Sequence, residues 1–264
     1  MQYPGRIIEK GEADAAIVKA LKQALNQKLA LQGQPGLMLT VDDPNYGAKM
    51  VQAVKMFQAR NVDAQGVPLV IDGKVGSLTW EVLFGPESVP VAPSADAPLL
   101  KEALRIAAGE EAAGIREVPL GSNRGPQVDT YQQRTGLSPG HAWCACFLYW
   151  CFDEAAKSLG RPNPLIKTAG CQDHWNRSAT AGIPRIAAGN AAANPELVRP
   201  GMIFIMAFDR GFGHTGVVES TAGGFMTTLE GNSNGAGGRE GIGVFRLTRK
   251  VKSVNRGFID YSAR

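Results

Sequence analysis

A cysteine that follows a glycine-bearing loop is the residue of this chain whose position best suits nucleophilic chemistry. Cys144 lies where the polar loop GLSPGHAW (136–143) meets a largely apolar stretch, 144–158, that predicts a buried helix. A thiol in the first turn of a helix lies near the positive end of the helix dipole and near unpaired N–H groups, and both favour the thiolate. Cys146 and Cys151 lie deeper in the same stretch, where desolvation favours the neutral thiol. We therefore predict Cys144 as a nucleophile.

A nucleophilic thiol needs a general base, and the chain contains three histidines. His214 begins a predicted strand directly after a turn, so a rigid element would hold it, and it is the preferred partner. His141 is the next choice, although the turn between it and Cys144 would have to fold back to bring the two side chains together. His174 lies in the stretch CQDHWN, which shows no evident pattern of a strand or a helix.

The base in turn needs a group that orients it, and the strand after His214 ends in Glu230 and Asn232. These two strands are predicted to form a hairpin over residues 221–224. An even-numbered loop would turn Glu230 away from the face that carries His214, whereas an odd-numbered loop or a bulge puts Glu230 and Asn232 on that face. The chemistry therefore predicts an odd-numbered or bulged hairpin. The alternative is that Glu230 is a solvated strand end.

The composition is that of an ordinary globular protein. The chain has 264 residues, is 44% hydrophobic and carries a formal net charge of +4, which excludes disordered and collagen-like classes. That charge is too small to indicate a nucleic-acid partner. Four cysteines are too few for a disulfide scaffold, and without a C-x-x-C pair they indicate no zinc site. We expect no cofactor and no metal, and the default interpretation of any one cysteine, Cys171 included, is a small buried hydrophobe.

Apolar segments are short throughout the sequence. The first residues contain no apolar stretch of the kind that a signal peptide needs. The longest apolar runs, 145–152 and 202–208, are too short to span a bilayer. The sequence therefore predicts a protein that is made in the cytoplasm without a Sec signal.

A proline-rich stretch divides the sequence. Residues 85–98 read GPESVPVAPSADAP, and prolines at that density fix φ and remove hydrogen-bond donors, which favours an extended, semi-rigid linker. We place the linker at residues 87–98. The sequence thus predicts a first domain over residues 1–86 and a second over residues 99–264.

The first domain is predicted to be a small all-α bundle of three helices. Apolar residues repeat at i+4 from an acidic start at Glu12 and Asp14, which is typical of an amphipathic helix. A second helix is expected to open at Gly47. The segment 70–85 predicts a turn at Asp72-Gly73 and a short helix with Ser77 as its N-cap.

The second domain is predicted to be α+β. Residues 99–113, 126–136 and 144–158 read as helices. After Pro200 the sequence pattern changes to short β-branched or aromatic runs separated by glycine-rich turns, and this pattern predicts an antiparallel meander. These runs are GMIFIMAF, HTGVVES, FMTTLEG, IGVFRLTRK and GFIDYS.

Three blocks of the second domain resemble the CHAP domains, papain-like amidohydrolases that cleave peptidoglycan. The blocks are AWCACFLYWC (142–151), GHTGVVES (213–220) and LEGNSN (229–234), and they supply a cysteine, a histidine and then an acid or amide in that family's order. The upstream string 121–137 is similar to the approach that many bacterial CHAP-type hydrolases make to their cysteine. The resemblance covers roughly residues 100–264 and implies a papain-like fold of helices and an antiparallel sheet.

The resemblance also implies roles. Cys144 would be the nucleophile, and His214 would act first as general base and then as general acid. Glu230 would orient the histidine, with Asn232 as a fourth polar member of the catalytic site. Some phage members carry an aspartate-rich calcium loop before the cysteine, but the loop 136–143 has no carboxylate, so calcium dependence is not indicated.

The first domain resembles a second family, the small three-helix peptidoglycan-binding domain found beside many wall hydrolases. The hallmark of that family is a phenylalanine-glutamine pair followed by D-G-x-x-G-x-x-T. The matching residues here are Phe57, Gln58, Asp72, Gly73, Gly76 and Thr79. We expect Phe57 and Trp80 to belong to the core rather than to contact a ligand.

The two resemblances together imply a peptidoglycan hydrolase that cleaves amide bonds by a Cys-His-Glu mechanism, as an amidase or an endopeptidase. Its partner would be peptidoglycan, which a phage lysin reaches through a holin and a secreted antibacterial effector through a secretion system. An effector would also have an immunity protein. Two alternatives stay open, namely an inactive wall-binding protein and a cysteine protease or acyltransferase with another substrate.

Overall fold

The computed structural model describes residues 1–64, 66, 68–89, 97–235 and 241–264. The chain forms two compact units, Met1–Val91 with Ala192–Leu197, and Ala92–Ala191 with Val198–Arg264. The segment 192–197 thus groups with the first unit, although it lies far along the sequence. Of the predicted linker, residues 90–96 lie outside the described residues. The domain boundaries drawn from the sequence stay predictions.

The first helix, α1 (Ala15–Lys28), begins where its acidic start predicts. The carboxylate of Asp14 accepts hydrogen bonds from the N–H groups of Ala16 and Ile17 at 3.0 and 3.1 Å, so it caps two donors that the helix leaves unpaired. The apolar stripe is buried and comprises Ile17, Leu21, Leu25 and Leu29.

Two further helices complete the first unit. The helix α2 (Ala48–Arg60) begins directly after the predicted glycine. The helix α3 (Ser77–Phe84) has Ser77 as its first residue and Gly76 as its cap, so the prediction of Ser77 as N-cap is wrong by one residue. The cause is a close approach, because a Cβ at Gly76 would lie 1.5 Å from the carbonyl oxygen of Ala193, in the segment that belongs to this unit.

The glutamine of the hallmark motif has a structural role in the first unit. The Gln58 side chain is buried, and its Oε1 accepts a hydrogen bond from the N–H of Gly73 at 2.9 Å. Its Nε2 donates to the carbonyl of Lys74 at 2.8 Å and to Asp72 Oδ1 at 3.0 Å. These bonds hold the turn after α2 against that helix. Phe57 and Trp80 are 1% and 0% exposed, so both belong to the core, as expected.

The rest of the chain adds five helices within the described ranges. They are α4 (Pro98–Ala112), α5 (Pro126–Thr135), α6 (Cys144–Ser158), α7 (Cys171–Thr180) and α8 (Ala188–Ala193). The bounds of α6 coincide with the predicted ones, and those of α4 and α5 differ by one residue. No helix in the described part of the chain is long and apolar enough to cross a membrane.

The helix α7 corrects the view that the stretch around His174 lacks a regular element. Its buried face carries Cys171, His174, Trp175 and Ser178, at the i, i+3, i+4, i+7 spacing of an amphipathic helix. Two of these four side chains are polar, so the face does not stand out as hydrophobic in the sequence.

Six strands in the described residues form one antiparallel sheet. They are β1 (Arg185–Ala187), β2 (Ile203–Ala207), β3 (Gly213–Ala222), β4 (Phe225–Ser233), β5 (Gly243–Lys250) and β6 (Gly257–Ile259). Their order is β1-β6-β2-β3-β4-β5. The predicted meander is therefore correct for β2 to β5, whereas β6 returns to pair with β2, and β1, which was not predicted, pairs with β6.

The hydrophobic core of the second unit lies between α6 and the sheet. The buried side chains of α6 pack on β3 and β4 and against α4 and α5. Helices packed on an antiparallel sheet confirm the predicted α+β class and give α6 a fixed position relative to β3.

The hairpin of β3 and β4 contains the bulge that the proposed chemistry requires. Ala222 pairs with Phe225, which leaves a turn of only two glycines, an even-numbered loop. The pairing then shifts by one residue at Glu219. The bulge restores the register that puts Glu230 on the same face as His214, and the two side chains are hydrogen-bonded.

Candidate active site

The helix α6 presents Cys144 as its first residue, and the preceding residue anchors the helix start. The N–H of Trp143 donates to Asn232 Oδ1 at 3.1 Å, and its indole Nε1 donates to Glu117 Oε1 at 2.9 Å. The backbone N–H of Ala145 donates to the sulfur of Cys144. The sulfur thus lies at the positive end of the helix, among donors that favour a thiolate.

His214 lies between the sulfur and a buried carboxylate. Its Nε2 is 2.7 Å from Glu230 Oε2, and the ring also forms a hydrogen bond with Cys144. Since Nε2 faces the carboxylate, Nδ1 is the nitrogen left to face the sulfur. His214 is 2% exposed and Glu230 is fully buried. The alternative that Glu230 is a solvated strand end is therefore wrong.

Two glycines give these side chains the space that they occupy. A Cβ at Gly216 would lie 2.7 Å from Glu230 Cγ and 2.7 Å from the ring of Phe204. A Cβ at Gly231 would lie 2.5 Å from Phe147 Cβ. The first glycine lets the carboxylate lie beside β3, and the second lets β4 approach α6.

Arg249, on β5, holds the carboxylate from behind. Its Nε donates to Glu230 Oε1 at 2.5 Å and its Nη2 donates to Oε2 at 2.7 Å. The hydroxyls of Thr228 and Ser233 donate to the same carboxylate at 2.5 and 3.2 Å. The sequence analysis missed Arg249. A buried carboxylate needs a cationic partner, and this was the one indication that the sequence offered. Only the pairing of β4 with β5 shows that the partner is Arg249.

The pKa values of the group are shifted toward an ion pair. The hydrogen bond from Cys171 lowers the pKa of Cys144 well below its ordinary value, and His214 acts in the same direction. Burial opposes a charged imidazole, but the hydrogen bonds with Cys144 and Glu230 outweigh it and raise the pKa of His214 to about 9. Burial also opposes the Glu230 carboxylate, yet Arg249 and His214 lower its pKa to about 2. The stable form at neutral pH is thiolate, imidazolium and carboxylate.

Asn232 lies on the cysteine side of the site. Its Nδ2 donates to Asn123 Oδ1 at 3.2 Å and to Glu117 Oε1 at 3.4 Å, while its Oδ1 accepts from Trp143. Its hydrogen bonds within the described residues do not include one to His214. Asn232 therefore positions the start of α6, and the buried Glu117, which the sequence analysis missed, shares that task.

The other two histidines lie elsewhere. His174 Nε2 is 2.8 Å from the hydroxyl of Tyr261, and burial lowers the pKa of His174 to about 4, so its ring is neutral. His141 is an exposed residue of the loop before α6, and its carbonyl accepts a hydrogen bond from Gln132. Of the three histidines, His214 is the one that the fold brings to Cys144.

The remaining cysteines fall into two classes. Burial raises the pKa of Cys146 to about 12, although Thr135 lies 3.3 Å from its sulfur, and burial raises the pKa of Cys151 well above its ordinary value. Cys171 differs, because its sulfur lies 3.6 Å from that of Cys144. The expectation that Cys171 is only a small buried hydrophobe missed this contact, which no local pattern could indicate across such a sequence separation.

Over the described ranges, no group of three or more histidine, cysteine, aspartate or glutamate side chains is arranged to hold a metal ion. The polar residues of the site are instead engaged with one another.

Comparison with protein families identifies a CHAP domain over residues 136–232. The match includes Cys144, His214, Glu230 and Asn232. No curated protein and no solved structure matches the chain. The second unit therefore contains a CHAP-type domain, and CHAP domains are generally hydrolases that act on peptidoglycan.

Proposed function

Because the second unit carries a CHAP-type domain, we propose that this protein hydrolyses amide bonds in the peptide part of peptidoglycan. The observation that supports the proposal most directly is the hydrogen-bonded series Cys144, His214 and Glu230. Such a series of nucleophile, base and orienting acid is the arrangement that covalent amide hydrolysis requires.

Acylation begins with attack of the Cys144 thiolate on the carbonyl carbon of the scissile amide. The carbonyl oxygen becomes an oxyanion, and the C–N bond breaks as the His214 imidazolium gives its proton to the leaving amine. The product is a thioester between Cys144 and the acyl half of the substrate. Because the resting state already holds both the thiolate and the acid, no separate deprotonation step precedes the attack.

Deacylation uses the same imidazole in its neutral form. His214 takes a proton from water, and the resulting hydroxide attacks the thioester carbon. The C–S bond then breaks and the carboxylic acid is released, which leaves Cys144 as the thiolate and His214 as the imidazolium again. Glu230 holds Nε2 throughout, so that Nδ1 remains directed at the reacting groups. Arg249 keeps this carboxylate ionised and in place.

The oxyanion needs two donors, and the first is the N–H of Cys144, which as the first residue of α6 has no intrahelical acceptor. The segment before α6 carries two amide side chains, Asn123 and Gln127, that are candidates for the second. The Nε2 of Gln127 donates to Glu110 at 2.9 Å, whereas Asn123 accepts through Oδ1 from Asn232, beside the start of α6. We therefore assign the second donor to Asn123, and its loss would cost about 2.7–4 kcal/mol of transition-state stabilisation.

The first unit would bring the enzyme to its insoluble substrate. We assign it the role of a peptidoglycan-binding domain, on the strength of the motif around Gln58. A tethered second site raises the effective concentration to roughly millimolar for a short flexible linker, so even a weak anchor helps. Phe57 and Trp80 are buried, so the contacts with the wall would be made by other residues.

The substrate sets the place of action, which is the cell wall. We propose release through a holin, as for a phage lysin, or through a secretion system, as for an antibacterial effector. An effector requires an immunity protein in the producing cell. Binding of the product of an adjacent gene to the purified enzyme, with loss of activity, would distinguish the effector from the lysin.

The proposal is tested by product analysis on purified peptidoglycan and on defined muropeptides. The native protein is expected to release new amino and carboxyl termini, and mass spectrometry of the products distinguishes an N-acetylmuramoyl-L-alanine amidase from an endopeptidase. Cys144→Ala should lower the rate at least about a thousand-fold. Cys151→Ala is the matched control, because that thiol is buried and protonated, and it should retain activity.

Other outcomes would replace the proposal. Binding to peptidoglycan without any released product would indicate a wall-binding protein whose hydrolase domain is inactive. Cleavage of casein in preference to peptidoglycan would indicate a cysteine protease. An unchanged rate in Cys144→Ala would show that the nucleophile has been assigned wrongly.

A further inference from the structure

Two thiols from different helices meet in the site, and the proposed reaction uses only one of them. The sulfur atoms of Cys144 and Cys171 are 3.6 Å apart, which is van der Waals contact for two sulfurs. The side chains are 5% and 6% exposed. Cys144 is the first residue of α6, and Cys171 is the first residue of α7. The pair therefore joins the starts of two helices whose positions the core fixes.

The other two cysteines do not form such a pair. Cys146 lies against Thr135, and Cys151 is 1% exposed within the core. Both thiols are protonated at neutral pH, because burial raises the pKa of each. Oxidants react with thiolates rather than thiols, so Cys144 is the site of first attack and Cys171 is the thiol in contact with it.

We propose that Cys144 and Cys171 form a disulfide when the protein meets a peroxide, and that this bond reversibly blocks the nucleophile. The inference goes beyond the hydrolysis of peptidoglycan and rests on it only for the activity measurement. Cys171 is in this respect a resolving cysteine, a role that the hydrolytic cycle does not need.

The chemistry takes two steps. The Cys144 thiolate attacks one oxygen of hydrogen peroxide, the O–O bond breaks, and hydroxide leaves, so that sulfur is oxidised to a sulfenic acid while peroxide is reduced. The sulfur of Cys171 then attacks the sulfenic sulfur, the S–S bond forms, and the S–O bond breaks. The departing hydroxide takes the proton of Cys171 and leaves as water. One thiolate, one thiol and one peroxide thus give one disulfide, one molecule of water and the hydroxide of the first step, which becomes a second water when the His214 imidazolium gives it a proton.

The neighbouring thiol changes what oxidation does to the enzyme. A sulfenic acid without a partner thiol is oxidised further to a sulfinic acid, which dithiol reagents do not reduce. With Cys171 in contact, the sulfenic acid is converted to a disulfide, and thiol–disulfide exchange converts this disulfide back to the two thiols. Cys144 and Cys171 are 5% and 6% exposed, so the pair is not sealed off from a molecule as small as hydrogen peroxide.

The test treats the reduced full-length protein with hydrogen peroxide and maps its peptides without reduction. We expect the parent to give a cross-linked peptide containing Cys144 and Cys171, with a mass lower by two hydrogens. Activity on soluble peptidoglycan fragments should be lost and should return after dithiothreitol. In Cys171→Ala, Cys144 should gain two oxygen atoms instead, and the lost activity should not return.

Two further variants act as controls. Cys146→Ala should behave as the parent does, because the sulfur of Cys146 lies against Thr135, whereas the sulfur of Cys171 lies against that of Cys144. Cys171→Ser keeps the size of the side chain. It gives a second variant without a thiol at position 171, to be used if Cys171→Ala does not fold. Each variant is compared with its own reduced form, so a change in basal activity does not affect the result.

The proposal is overturned if Cys144 in the parent gains two oxygens as fast as in Cys171→Ala and no cross-linked peptide forms. A cross-link from Cys144 to Cys146 would overturn it too. Neither readout needs a substrate, so the disulfide can fail while the hydrolase stands, and it can form even in a protein that does not cleave peptidoglycan.

Discussion

Each unit of the chain buries polar side chains, but the buried network of the first unit is built around a neutral amide and that of the second around a charged carboxylate. In the first unit, Gln58 satisfies its amide on the backbone of one turn and on Asp72. In the second unit, Glu230 accepts from His214 and Arg249, both of them cationic side chains. The glutamine network is closed, whereas the charged network continues through the imidazole to a sulfur that can react.

The difference separates a motif that maintains a fold from a charged network of the kind that proton transfer requires. A neutral amide whose hydrogen bonds are all made has no proton to give and no charge to share. A buried carboxylate that is paired with an imidazole shifts the pKa of that imidazole, and the imidazole in turn shifts that of the thiol. We therefore expect changes at Gln58 to affect stability and changes at Glu230 to affect rate.

Among the changes that test this comparison of the two units, the largest effect is expected for Glu230→Gln. The amide cannot hold the imidazolium as the carboxylate does, so the rate on muropeptides should fall by about a thousand-fold. The change also removes the buried ion pair between Glu230 and Arg249, so the unfolding free energy should fall by about 3–5 kcal/mol.

The matched control for this change is Glu219→Gln. Glu219 pairs with Arg246 at 2.8 Å, but the two side chains are 29% and 41% exposed, and solvent screens such a pair. The control should keep the parent rate, with a stability change below about 1 kcal/mol. Equal losses of rate in the two variants would contradict the special role of Glu230.

The next effect is expected for Gln58→Ala in the first unit. The substitution removes the hydrogen-bond partner of the Gly73 N–H and of the Lys74 carbonyl. The free energy of unfolding, measured by chemical denaturation, should therefore fall by about 2–3 kcal/mol. Gln52→Ala, on the exposed side of α2, is the control and should be near neutral. Hydrolysis of a small soluble muropeptide should be unchanged in both variants, and a large loss there would break the comparison.

A smaller effect is expected in the pH dependence. Hydrolysis should fall as the pH rises through about 9, because His214 then loses the proton that the leaving amine needs. Alkylation of Cys144 by iodoacetamide should stay fast above that pH, since the sulfur remains a thiolate. In Glu230→Gln the fall in hydrolysis should move to lower pH, because one of the hydrogen bonds that raise the pKa of His214 is weakened. A fall in alkylation along with hydrolysis would show that the two pKa values are assigned wrongly.

The smallest effect is expected for Cys171→Ala under reducing conditions. Removal of the thiol that donates to the Cys144 sulfur should raise the pKa of Cys144, so the acid limb of its alkylation profile should move to higher pH. Cys146→Ala should leave that limb in place. An unmoved limb in Cys171→Ala would mean that the helix start and His214 stabilise the thiolate without help from the second thiol.

Local patterns in the sequence are strong enough to predict much of this molecule. The helix α6 and the position of Cys144 at its start follow from a loop that meets an apolar run. The strands β2 to β5 follow from β-branched runs between glycines. The preference for His214 over His174 came from its place at the start of a strand, although His174 proved to lie on a helix.

Contacts between distant residues were not predictable in the same way. Arg249 and Glu117 reach the site from segments that carry no motif, and their partners are defined only when the strands and helices pack. The contact between Cys144 and Cys171 also depends on two helix starts meeting in space. A single sequence records the types of these residues but not the distances between them.

The residue types and their order along the chain determined the class of fold, the helix that begins at Cys144 and the strand that carries His214, because each depends on patterns within a few turns of helix or one hairpin. The tertiary structure decided which side chains complete the charge network, since a buried ion needs partners at a few ångströms whatever their place in the sequence. It also decided that the bulge at Glu219 sets the register of His214 and Glu230, and that a second thiol lies beside that of Cys144.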